Sequence, residues 1–265
     1  MNLEQLLLEE TQRVDERLRD LLAVGAVAGS LLQPGMVDAR PRSPTAAVTQ
    51  TASKAAHPSY PSALLKSHRL PTDERIEKFI NVFVPLIDAQ NQAILNDRAQ
   101  VKKLMVLKQL SASQQRWLDT QIEKYRASDE KDLLLRMDTV PPSLVLAQAA
   151  VESGWGRDRL ALKHLGFFGQ RAWTTKGTAR GAKGERYESF PSVGHSIAAY
   201  MQNLNSHPAY SGFRTERARL RQADKPLLGA QLAATLVKYS TRGADYTRQL
   251  QKLIADRQLA KFDRR

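Results

Sequence analysis

From Pro141 to Gly156 the chain reads PPSLVLAQAAVESGWG, and this stretch restricts the fold more than any other. Leu144, Val145, Leu146, Ala147, Ala149, Ala150 and Val151 leave it almost no polar face. A helix that is apolar nearly all round must be buried, so the rest of a domain has to wrap around it. Pro141-Pro142 suits a first helical turn, where a missing N–H is tolerated. Gly154 suits the end, because glycine accepts the left-handed conformation that terminates helices. Glu152 at that end is a poor choice for stability alone. Desolvation raises a carboxyl pKa, and the negative end of a helix dipole raises it further. A carboxylic acid kept protonated in this way is suited to proton donation. The ordinary alternative is a solvated Glu paired with Arg157 or Arg159.

The flanking sequence sets out the rest of the domain. Ile76, Phe79, Ile80, Phe83, Leu86 and Ile87 recur at three and four residues, the period of a helix face. The helix is expected to start at Thr72 as cap, and Pro85 to kink it or start a new turn. Ile94, Val101, Leu104, Met105 and Leu107 continue a helical pattern. Trp117, Leu118, Ile122 and Tyr125 form another, with Ser113 as its expected cap. Residues 166–191 are rich in glycine, threonine and aromatics, which predicts a β-hairpin lobe with its turn at Arg180-Gly181 or Lys183-Gly184. Helix returns after Ser192, then near 214–222, 226–239 and 243–259. The fold class expected is mainly α, one helical domain with a small β-hairpin lobe, preceded by an N-terminal helix and a disordered linker. The boundaries expected are 1–32 for an N-terminal helix or signal- or anchor-like segment, 33–71 for a flexible linker, 72–128 for a helical extension and 129–265 for the main domain.

Composition narrows the chemistry. The chain has no cysteine, so disulfides and thiolate metal sites are excluded. Its five histidines show no metal-ligand spacing, so no metal or cofactor is expected. The net charge of +13 favours an anionic partner, whether nucleic acid, an acidic membrane surface or a cell-wall polymer. Arg214, Arg217, Arg219 and Arg221 read first as a solvated helix face, and second as an anion-binding patch. No aromatics interleave with them, so nucleic acid is not expected as the partner. Leu21–Leu32 is a short apolar run after Arg13, Arg17 and Arg19, and resembles the core of an export signal. It is too short to span a bilayer easily. Glu9, Glu10, Asp15, Glu16 and Asp20 argue against a clean leader, which leaves an amphipathic helix as the other reading. Peripheral membrane or cell-envelope association through this N-terminus follows from either reading.

Four blocks then occur in order: LAQAAVESGWG, FFGQ, YESF, and the pair AAYMQNLNSHPAY and VKYSTRGADYTRQL. Over about residues 130–260 they resemble the glucosaminidase domain of glycoside hydrolase family 73, and within it the bacterial Bax-type proteins. The resemblance implies a lysozyme-like helical fold with a small β lobe, action in the periplasm or cell envelope, and hydrolysis of peptidoglycan strands at the β-1,4 bond after N-acetylglucosamine. Glu152 matches the family's general acid. Glu185 and Glu188 lie where the family places its second acid, with Glu185 slightly preferred; the substrate's acetamido group is the alternative. Tyr239 and Tyr246 match the family's two tyrosines. Tyr239 is the one expected at the scissile bond, because Tyr246 shares an apolar face with Leu250.

Phe168 and Gln170, in the FFGQ block, are expected to touch substrate, together with Tyr246 and Tyr200. Trp173 is the expected stacking platform for a pyranose ring, and Trp155 is expected in the core. The chain departs from the family at Leu165 and Gly166, where Asn is usual, and at His195, where Glu is frequent. His195 reads as a plain helix residue. These departures motivate a second hypothesis, a catalytically weakened module that binds peptidoglycan without cutting it.

Overall fold

The computed structural model describes residues 69–171, 178–180 and 186–263. All of them belong to one compact unit. Its organising element is the apolar helix α4 (Pro142–Ser153), in which Leu144 to Ala150 are at most 2% exposed. Burial of this kind is worth about 1.5–3 kcal/mol for each large aliphatic side chain. Around it run α1 (Thr72–Met105), α2 (Ala112–Tyr125), α3 (Glu130–Arg136), α5 (Arg159–His164), α6 (Val193–Ser206), α7 (Ser211–Gln222), α8 (Gly229–Ala233) and α9 (Ala244–Asp256). Short 3-10 turns cover Pro208–Tyr210 and Leu259–Phe262. The strands β1 (Thr178–Arg180) and β2 (Arg186–Glu188) pair antiparallel, with Thr178 opposite Glu188 and Arg180 opposite Arg186. The molecule is mainly α with a small β-hairpin, as expected. Of the expected turn residues, Arg180 ends β1 instead, while Gly181, Lys183 and Gly184 lie outside the described residues, as does everything before residue 69.

Several local expectations are corrected. Helix α1 is a single 34-residue element that runs through Pro85 without a break. Pro71, not Thr72, occupies its N-cap position. Helix α2 is capped by Ser111, not Ser113. Gln114 lies three residues after Ser111 and completes a reciprocal capping box. The helix expected over 226–239 is only Gly229–Ala233, followed by turns. Residues on both sides of position 129 fall in the same compact unit. Phe79 and Phe83 of α1 stack at 4.0 Å, and Phe167 packs edge-on against both. The supposed extension therefore supplies part of the core that supports the main domain.

Only half of the run Arg214–Arg221 is a solvated face: Arg219 and Arg221 are exposed, and the other two arginines turn inward. Arg214 and Arg217 are 3% and 1% exposed. Arg217 donates to the carbonyls of Leu135, Arg136, Asp138 and Thr139, and to Asn205 Oδ1 at 2.7 Å. Arg98 donates to the carbonyls of Leu134 and Met137. Asn91 Nδ2 donates to Val140 O at 2.9 Å, and Asn91 Oδ1 accepts from Val140 N at 3.0 Å. Together these bolt down the turn that leads into α4. Burial alone would raise the pKa of Asp138, but Arg217, Arg98 and Arg221 outweigh it and hold the carboxyl well below the usual range. Burial pushes Arg217 down to about 10, so it remains a cation at neutral pH.

The start of α4 has no side-chain cap of its own. Asp263, 120 residues away, accepts from Ser143 N at 2.9 Å and Ser143 Oγ at 2.6 Å. It also accepts from Gly229 N, at 2.8 Å, at the start of α8. An acidic group at two helix N-termini complements both dipoles. Helices α4 and α8 approach so closely that a Cβ on Gly229 would lie 2.1 Å from Ser143 Oγ.

Candidate active site

Glu152 sits in the last turn of α4, and the chain leaves the helix abruptly just beyond it. Gly154, Trp155 and Gly156 all have positive φ, at 58°, 59° and 69°. For Trp155 that conformation costs about 1 kcal/mol or more; its ring packs edge-on against Phe79 at 5.6 Å and stays half-buried. Ser153 ties the turn together. Its Oγ donates to Ala149 O at 2.6 Å and accepts from Gly156 N at 3.0 Å. The outcome is a rigid helix end that presents Glu152 to solvent.

The Glu152 side chain is exposed as a residue, yet its carboxyl is recessed enough to be partly desolvated, and desolvation raises its pKa. A hydrogen bond from Tyr246 and the positive charge of Arg242 act in the opposite direction without cancelling the rise. Tyr246 Oη donates to Glu152 Oε1 at 2.9 Å. On the other side of the carboxyl, a Cβ on Gly169 would lie 2.9 Å from Glu152 Oε2. Gly169 also has φ 61°, so both space and backbone conformation favour glycine there.

Behind Tyr246 lies a stack of aromatics, in which Phe168 and Tyr200 are buried and Tyr239 is half-buried. Tyr239 lies parallel to it at 5.6 Å and donates to Phe168 O at 2.8 Å. Phe168 stacks on Tyr200 at 4.1 Å. Tyr200 donates to Gln148 Oε1, and Gln148 Nε2 donates to Tyr246 Oη at 3.1 Å. Burial raises the pKa of Tyr246, Tyr200 and Tyr239, and the nearby Glu152 charge adds to each rise. All three phenols therefore stay neutral and keep a proton to donate.

The sequence expectations fare unevenly. Of the two tyrosines, Tyr246 touches the acid; Tyr239, the one expected there, supports it from behind because its hydroxyl turns toward the Phe168 carbonyl. Phe168 and Tyr200, expected to touch substrate, are sealed in the core at 1% and 0% exposure. Tyr246, at 2%, meets the carboxyl rather than an open surface. Gln170 is half-buried, and its carbonyl accepts from Glu188 N at 2.9 Å. Among the described residues its side-chain oxygen has no hydrogen-bond partner. That backbone bond places β2 against the residue next to Gly169. Glu188 is half-buried, and desolvation raises its pKa. Glu185 and Trp173 lie outside the described residues. His195 is exposed and bonds Ser192, the N-cap of α6.

Three contributors escaped the sequence reading. Gln148 is the one polar side chain in the apolar run and stands four residues before Glu152, so it shares the acid's face of the helix; that signal was available. Gly169 stood in the FFGQ block but nothing there pointed to contact with Glu152, and Arg242 carried no signal, because each depends on where a distant segment packs. Among the described residues no three His, Cys, Asp or Glu side chains gather as metal ligands. Among them, too, no helix is long and apolar enough to cross a membrane.

Residues 131–259 match the glucosaminidase family, described as mannosyl-glycoprotein endo-beta-N-acetylglucosaminidase. The chain is 34% identical over 192 residues to Protein bax of Escherichia coli (strain K12), covering 69% of this chain and 70% of that protein. A search of solved structures finds the catalytic domain of the autolysin Auto from Listeria monocytogenes, at 18% identity and a TM-score of 0.37. That match covers 63% of this chain and 97% of that one.

Proposed function

The chain belongs to the glucosaminidase family, glycoside hydrolase family 73, and we propose from this membership that it hydrolyses peptidoglycan strands at the β-1,4 bond after N-acetylglucosamine, with Glu152 as general acid. The observation that carries the reading is the Glu152 carboxyl: solvent-facing, raised in pKa by desolvation, and held by one hydrogen bond at a rigid helix end. A sugar oxygen is a poor leaving group until it is protonated. A solvent-facing acid whose pKa is raised supplies that proton as the anomeric C–O bond breaks. The anomeric carbon is then attacked by water or by the substrate's own acetamido oxygen. Glu188 supports water attack in this scheme, with Glu185 as the other choice; the raised pKa of Glu188 suits a group that exchanges protons.

No organic cofactor or metal enters the scheme. The net charge of +13 suits attraction to an anionic wall polymer. Action on peptidoglycan places the protein outside the cytoplasm, in the periplasm or cell envelope. Glu152→Gln should lower the release of reducing ends from peptidoglycan by about 10²–10⁴-fold. Mass spectrometry of the wild-type digest should show N-acetylglucosamine at the new reducing terminus. Undiminished activity in the variant would remove Glu152 from the chemistry. Peptidoglycan sedimentation with no fragment release by the wild type would favour the binding module instead.

A further inference from the structure

The chain of hydrogen bonds behind Glu152 has a direction, and that direction is set away from the acid. Tyr200 is fully buried with its ring flat on Phe168, and among the described residues its hydroxyl bonds only Gln148. A buried hydroxyl proton needs an acceptor, and leaving it without one is costly. In Gln148 only the amide oxygen accepts. Oε1 therefore faces Tyr200, which turns the NH2 group toward Tyr246 Oη, 3.1 Å away. An amide nitrogen only donates. The Tyr246 oxygen accepts that bond, and its own proton is left for Glu152 Oε1 at 2.9 Å.

Rotating the Gln148 amide by half a turn would reverse the whole run. The Tyr200 proton would face another donor, the Tyr246 proton would go to the amide oxygen, and the carboxylate would lose its donor. Gln148 itself is 0% exposed and sits one helical turn before Glu152 on the same rigid element.

We propose that Gln148 is a positioning residue for the acid: its amide, oriented by Tyr200, aims the Tyr246 hydroxyl proton at Glu152. The role rests on Glu152 being the general acid, but the orientation can be measured without any substrate. The titratable groups facing Glu152 among the described residues are Tyr246, Tyr239 and Tyr200, all held neutral, and the cation Arg242. Among the described residues, the only hydrogen bond that favours the charged carboxylate is the one that Gln148 directs. Neighbouring bonds in such a chain polarise and strengthen one another.

The test is a carbon-13 titration of the full chain labelled at the glutamate carboxyls, with the Glu152 resonance assigned by its absence from Glu152→Gln. Gln148→Met should raise the Glu152 midpoint by about half a pH unit or more, the scale of weakening a charge-assisted hydrogen bond. Tyr246→Phe should raise it at least as far. The double variant should match Tyr246→Phe alone, because the amide acts only through that hydroxyl. The alkaline limb of the pH–rate profile on peptidoglycan should move in the same order. An unchanged midpoint in Gln148→Met, or shifts that simply add in the double variant, would overturn the proposal; a residue that only fills space would lower melting temperature without moving the midpoint. Should Gln148→Met fail to fold, Tyr200→Phe carries the same test, with a smaller upward shift expected and no shift overturning it. If Glu152→Gln keeps full activity while the midpoints move as stated, the catalytic reading fails and the orienting chain stands.

Discussion

At the residue scale, Gly169 and Glu152 share a boundary with no slack. Gly169→Ala puts a methyl group 2.9 Å from Glu152 Oε2 and holds an L-residue at φ 61°. The conformation alone costs about 1 kcal/mol. The variant should fold with a slightly lower melting temperature but lose most of its activity, because the carboxyl has to move; wild-type activity would show that the contact is not critical. The sign of the Glu152 shift yields a second expectation. A carboxyl whose folded pKa is raised opposes folding once pH exceeds its unfolded value, and the effect is complete above its folded value. Glu152→Gln should therefore melt at or above the wild-type temperature at pH 7. The difference should vanish as the solution is acidified below pH ~4, where the wild-type acid is protonated in both states.

At the element scale, the acid's helix is held by what precedes it. Arg217→Met should destabilise by about 3–5 kcal/mol, since it leaves Asp138 buried without the guanidinium that does most to hold it charged. Asp138 has a lowered folded pKa, so its contribution is complete above the unfolded value and drains away as pH falls toward the folded one. The gap between variant and wild type in urea melts should accordingly narrow below pH ~4. Little of this arrangement was legible beforehand. Helix α4 was readable at both ends because its signals are local: Pro142 in the first turn, Gly154 past the last and unbroken apolar side chains between. Ser192 as a cap and the glycine-rich hairpin were readable for the same reason. Arg217 was not, because alternating arginines look solvated until the carbonyls they reach, about 80 residues earlier, are in place. The exchange of roles between Tyr239 and Tyr246 was equally hidden, since a spacing of seven residues does not say which ring lies nearer a distant carboxyl.

At the scale of the whole molecule, the helices before residue 129 are inseparable from the domain that bears the site. Phe79 and Phe83 meet Phe167, one residue from Phe168 in the stack behind Tyr246. A fragment beginning at residue 129 should lack cooperative thermal unfolding and bind hydrophobic dye, whereas one beginning at residue 69 should melt as a single transition; a cooperative melt of the shorter piece would contradict the shared core. The Asp263 carboxylate, which closes the first turn of the acid's helix from the far end of the chain, also bears on how the protein is handled in the laboratory. An affinity handle fused close after Asp263 would strain the carboxylate that closes the first turn of α4, so purification tags and surface tethers belong at the opposite terminus.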